Sequence, residues 1–156
     1  MLRGTYCILI ATMMVASPAK ADWQYTRWGM TPSEVETAAQ AAGQTLIPSN
    51  QPMATRLLGH TGTYAVSGGV MEANFYYSDN KLEEVELKGS RDGQCYVIGL
   101  GLNEKYGTPF SKTDMVVATK FIWHDQDQGN SVEFMRFSSS CYLSYRSLAT
   151  RDKSGL

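Results

Sequence analysis

The chain has 156 residues, 43% of them apolar and 19% charged, with a net charge of −1. That length suits one domain with a proper core. A near-neutral balance without a Lys/Arg cluster argues against nucleic acid or an anionic membrane as the main partner.

The first residues have the organisation of a secretory signal. Arg3 supplies the positive start, "CILIATMMVA" from Cys7 to Ala16 is the apolar run, and Ala19-Lys20-Ala21 is a small-x-small end. An apolar run of about ten residues falls short of the ~20 needed to span a bilayer, and no later segment comes close. Cys7 opens the run instead of following its small-residue end, so it is not placed as a lipid acceptor. The expected product is a leader over 1–21, cleaved after Ala21, with export to the periplasm or the medium. Residues 22–148 are then one domain and 149–156, "ATRDKSGL", a frayed tail. The leader removes Arg3 and Lys20 but no acid, so the remainder is mildly acidic.

In "WQYTRWG", Trp23 and Tyr25 alternate as on a short strand lying on the core or sealing a sheet edge, and Trp28 braces a turn at Gly29. A helix start follows. Thr31 and Glu34 have capping-box spacing, Pro32 sits at the first helical position, and Met30 can staple to Val35. Val35, Ala38, Ala39 and Ala42 form an apolar face, and Gly43 is a natural stop. "QTLIPSNQPMA", with two prolines and little periodicity, reads as a loop. Three strands in a meander come next: "TRLLGHTGTYAV", then "VMEANFYYS" after Gly68-Gly69, then "KLEEVELKG" after Asp79-Asn80. Met71, Ala73, Phe75 and Tyr77 share one face, and so do Val85 and Leu87; Glu83, Glu84 and Glu86 read as part of a solvated strand.

A second helix runs from Asp92 to a stop at Gly107 and Pro109, with Cys95, Ile98, Leu102 and Tyr106 on one side. Gly99 and Gly101 weaken it, at about 1 kcal/mol each against Ala. After a polar link, "ATKFIWHD", "SVEFMRFSS" and "CYLSYRS" are three more strands, the first two joined by "QDQGN". The expected fold class is α+β: two helices on one face of an antiparallel sheet, in tandem α-β-β-β units with a short N-terminal strand. In an oxidising compartment Cys95 and Cys141 form the one possible bridge of the processed chain, fastening the second helix to the core face of the last strand. In the chain-entropy account such a loop contributes about 4 kcal/mol.

No catalytic, metal or cofactor motif survives inspection. "IGLGLNE" lacks the third glycine of a dinucleotide fingerprint and lies in a helical pattern. "DQDQGN" starts like a calcium loop, yet Gly129 occupies a ligand position and no glutamate closes it. His60 and His124 are far apart and read as solvent-facing strand residues; Ser138 to Ser140 form a turn outside any GxSxG. A binding surface is the stronger expectation. If Phe121, Trp123, Val132 and Phe134 point inward, then Ile122, His124, Met135 and Phe137 point outward, with Tyr142 and Arg146 beside them. Tyr76 and Leu82 extend the same nominally wet face. Aromatic, Met and Arg enrichment is what interaction surfaces carry. The alternative is that the tail, the 44–54 loop or the N-terminal strand covers these residues.

Tandem helix-plus-sheet units resemble the exported beta-lactamase-inhibitory-protein architecture, whose open sheet face grips a partner protein. "WGMTPSEV" and the helix end from Leu102 to Pro109, "L…KYGTP", look like small proteobacterial periplasmic proteins of uncharacterised function. Gly29, Thr31 and Val35 match the helix opening G-x-[ST]-x-x-x-[VL] of the small outer-membrane assembly lipoproteins, although this chain lacks their lipid-acceptor cysteine. The resemblance implies a non-enzymatic domain that binds a protein or envelope component on its open sheet face. The competing expectations are a hydrolase or redox enzyme using His124 with a carboxylate or thiol, and a small-ligand or metal carrier.

Overall fold

The computed structural model describes residues 22–90 and 92–148. The leader over 1–21 and the tail over 149–156 lie outside them. Two helices, α1 (Pro32–Ala41) and α2 (Asp92–Tyr106), accompany eight strands: β1 (Ile47–Met53), β2 (Arg56–Val66), β3 (Gly69–Ser78), β4 (Lys81–Gly89), β5 (Ser111–Asp114), β6 (Ala118–Asp125), β7 (Asn130–Phe137) and β8 (Cys141–Ser147). All eight form one antiparallel sheet in the order β1-β2-β3-β4-β8-β7-β6-β5. The expected α+β fold of tandem three-stranded units is thereby corrected to a largely β protein with few helices. Two strands account for the difference. β1 holds Pro48 and Pro52, but it is an edge strand, where a missing N–H costs no ladder bond. β5 is a four-residue polar edge strand with no apolar alternation to betray it.

The helix signals are realised atom by atom. Thr31 Oγ1 accepts from the Glu34 amide while the Glu34 carboxylate accepts from the Thr31 amide, so the capping box is closed. That bond holds the exposed Glu34 carboxyl below its ordinary pKa. α2 buries Cys95, Ile98 and Leu102. Gly99 belongs here because a Cβ would come within 3.3 Å of the Phe134 ring. The Cys95–Cys141 disulfide is present, with both cysteines fully buried. It ties α2 to β8, as their positions on the two apolar faces require.

The helix-covered face of the sheet carries the core: Phe75, Val85, Leu87, Val132, Phe134 and Leu143 meet Val35 of α1 and the buried side of α2. The N-terminal segment packs on this same face. It is a tight closed loop instead of the expected strand, with Gln24 at φ 50° and Trp23 and Thr26 bonded to each other through their backbones. Trp23 becomes the hub of an aromatic cluster with Tyr25, Tyr64, Phe75 and Tyr145, at centroid distances of 5.3–6.2 Å. Trp28 has a separate task. Its indole N–H donates to Asn130 Oδ1 at 2.8 Å, and the Asn130 amide donates to the Asp22 carbonyl. The start of β7 thus latches the N-terminal loop.

Two bulges change what the strand pattern predicts. β2 and β3 pair Leu58 with Tyr76 and then His60 with Phe75, which leaves Gly59 as an extra residue and turns His60 to the helix side. There it is buried, its Nδ1 2.9 Å from the Tyr77 hydroxyl, not solvent-facing as the alternation suggested. β3 and β4 pair Tyr76 with Glu84 and Tyr77 with Leu82, so Glu83 is extra. A one-residue shift exchanges faces. Leu82, expected outward, is therefore in the core cluster with Val35.

Candidate functional site

Successive cross-strand pairs lay out the uncovered face as three rows. The first runs Tyr76, Glu84, Arg146, Ser131, His124; the second Asn74, Glu86, Ser144, Glu133, Ile122; the third Glu72, Lys88, Tyr142, Met135, Lys120. No described segment crosses it: β1 extends the sheet edgewise, and the N-terminal loop sits on the other side. The centre of this face is nevertheless buried, with Tyr76, Glu84 and Ile122 at 5%, 2% and 7% exposure. The cause is the width of the sheet, since each central side chain is flanked by neighbours on both adjoining strands and two residues along its own.

Glu84 organises the middle. Its Oε2 takes the guanidinium of Arg56 from β2 and, at 2.7 Å, that of Arg146 from β8. Arg56 also lies 3.9 Å over the Tyr76 ring, and the Tyr76 hydroxyl donates to Glu86 Oε1 at 3.1 Å. Burial, then the Glu86 carboxylate, pushes the Tyr76 phenol up to about 12. A buried carboxylate of this kind persists because two cations and their hydrogen bonds replace its hydration. Reading Glu84 as solvated missed this network. The available signal was an arginine on the outward side of a second strand, but pairing between β4 and β8 is a long-range fact that no local pattern contains.

Beside this network, Met135, Phe137, Tyr142 and Arg146 line one depression of about 240 Å³, together with Glu86, Glu133 and Ser144. Phe137 and Tyr142 meet edge to face at 5.9 Å. Of the eight residues expected on an interaction face, these four are gathered. Tyr76 supports them through Arg56 and Glu86, and Ile122 pairs with Glu133 at their flank. Leu82 is in the core. His124 ends the first row opposite Ser131, outside the depression, and is stacked on Phe110 at 4.2 Å. The two cysteines are bonded to each other, so no free thiol of theirs is available to it.

A cleft of about 800 Å³ lies on the helix-covered side, and the end of β6 at His124 and Asp125 is part of its border. Leu87 and Leu143 form its floor, Tyr64, Tyr106 and Tyr145 its aromatic walls, and Asp22, Lys105 and Asp125 part of its rim. Burial, reinforced by Tyr106, Tyr64 and Asp125, holds the Tyr145 phenol far above its ordinary value, so it stays a protonated donor. Residues 126–129, expected as a hairpin turn, are one: the Asp125 carboxylate accepts from the Gln128 amide at 3.0 Å, and Gly129 has φ 64°.

No protein-family model matches the chain, and no curated protein matches it. Among solved structures, a DUF4309 family protein, YjgB from Bacillus subtilis subsp. subtilis str. 168, is similar with a TM-score of 0.48 and 13% identity over 83% of this chain and 86% of that one. Nothing is carried from that protein to this chain at such similarity.

Proposed function

We propose that this chain is an exported, non-enzymatic domain that binds a protein or an envelope component on the uncovered face of its sheet. The reading rests on one observation: Met135, Phe137, Tyr142 and Arg146 share a depression on a face that no described segment crosses. Aromatic, Met and Arg side chains are those that dominate interfaces. Export is supported by the buried disulfide and by the leader-like N-terminus, and no described helix is long and apolar enough to cross a membrane. The likeness of Gly29, Thr31 and Val35 to the opening of small outer-membrane assembly proteins favours an envelope setting. The test is photo-crosslinking in the native envelope from positions 135 and 137. The same partner is expected from both, and Met135→Glu or Phe137→Glu should abolish capture from the neighbouring position without changing thermal unfolding. Unchanged capture by both variants overturns the reading.

A second reading, a small-ligand carrier, is favoured by the aromatic cleft bordered by His124. It predicts bound mass in native mass spectrometry of freshly purified protein, lost on Tyr106→Ala.

A further inference from the structure

The most exposed apolar side chain in the described residues, Val116, projects from a corner that carries two more, Met115 and Val117. The β5–β6 hairpin ends in Met115-Val116-Val117, of which Val116 is fully exposed and Val117 is 71% exposed. Its base is closed: the Met115 amide donates to the Ala118 carbonyl at 2.8 Å, and Thr119 Oγ1 donates to Asp114 at 2.9 Å. The tip is therefore a braced apolar projection, not a side chain thrown out by a loose loop. Next to it, Tyr96 on the outer side of α2 and Phe137 border the same hollow as Met115 and Val117.

We propose that this corner docks on an anionic lipid surface, with the hairpin tip entering the acyl boundary. Two observations select lipid over a folded partner. The first is shape, because an isolated projecting tip of three aliphatic residues fits a fluid surface that yields around it, whereas a protein partner must supply a matching hole. The second is charge. Lys112 and Lys120 stand on opposite faces of the hairpin, each three residues from the apolar tip, and Arg136 joins from β7 against the single acid Asp114. At about 3.3 Å per residue this places the cations roughly 10 Å behind the tip. Apolar faces at membranes sit about 5–10 Å into the headgroup boundary, so the ammonium groups fall at phosphate level when the tip is buried. Lys112 Nζ is paired with Asp114 at 3.3 Å, an exposed contact that its flexible stem can exchange for a lipid phosphate.

The test is co-sedimentation of the processed protein with vesicles of phosphatidylethanolamine and phosphatidylglycerol, compared with phosphatidylcholine alone. Binding is expected on the anionic vesicles only, and to weaken in high salt. Val116→Asp and Val117→Asp should each lower the bound fraction about tenfold, and Lys112→Glu with Lys120→Glu should remove the preference for anionic lipid. Val116, Val117 and Lys112 are exposed and Lys120 is half-buried, so unchanged thermal unfolding verifies the fold of each variant. Val116→Trp supplies a second readout, its emission shifting blue and becoming quenched by brominated lipid. Equal sedimentation with both vesicle types, or full binding by Val116→Asp, overturns the proposal, as does a Val116→Trp emission unaffected by vesicles.

Discussion

The two faces of the sheet bury their centres by different physics. On the helix-covered face, Trp23, Phe75, Val132 and Phe134 exclude water through apolar area and are stapled by Cys95–Cys141. On the uncovered face, Glu84 and Tyr76 are equally hidden, but by mutual shielding, with two arginines compensating one carboxylate. The first face is held mainly by apolar burial. The second keeps a buried charge and partly exposed Met135, Phe137 and Tyr142, the mixture that a surface needs if it is to exchange water for a partner.

Four measurements break or sharpen this contrast. Trp23→Ala should have the largest effect, about 3–5 kcal/mol in denaturant unfolding, because a hub contacting four rings is emptied. Removing the bridge with Cys95→Ser and Cys141→Ser should cost about 3–4 kcal/mol, with the spectroscopic signature of the fold retained. On the other face, Arg56→Ala should cost roughly 1.5–3 kcal/mol, since Glu84 keeps only the half-exposed Arg146. Replacing Glu84 by Leu and Arg56 by Met together should recover most of that loss, because a buried ion pair is weakly stabilising once its desolvation is counted. If the double variant is as unstable as Arg56→Ala, the contrast between the faces is wrong.

The smallest effect is a pH dependence from the covered face. Burial lowers the His60 pKa below its ordinary 6.5, partly opposed by Glu36. Between the folded value and 6.5 the unfolded chain binds more protons, so this contribution is fully present above 6.5 and is lost as pH falls through the folded value. Denaturant midpoints at pH 7.5 and 5.5 should therefore differ, and His60→Gln should reduce the difference.

Local chemistry was legible wherever it acts over a few residues. The Thr31–Glu34 capping box, the end of α2 at Gly107, and the Asp79-Asn80 and Gly68-Gly69 turns all depend on neighbours in sequence. The cysteine pair was legible because the two apolar faces offered one bridge. What escaped depends on the sheet as a whole. Pro48 and Pro52 made β1 look irregular because edge status cannot be read locally, and the bulges at Gly59 and Glu83 reversed His60 and Leu82 without a composition signal. Within the candidate site, Met135, Phe137, Tyr142 and Arg146 followed from simple alternation. Their juxtaposition with Glu84 did not, because it requires knowing that β4 lies beside β8.

That strand order governs how the chain can be assembled. β8 is the last of the described strands in sequence yet lies at the middle of the sheet, between β4 and β7. Until Cys141–Ser147 has emerged, β1–β4 and β5–β7 are two ribbons with a raw edge each, unable to complete the core between them. Joining them needs contacts between residues far apart in sequence, which slows folding. A polypeptide made from its N-terminus thus holds two unjoined ribbons until β8 is available, and that strand acts as a keystone.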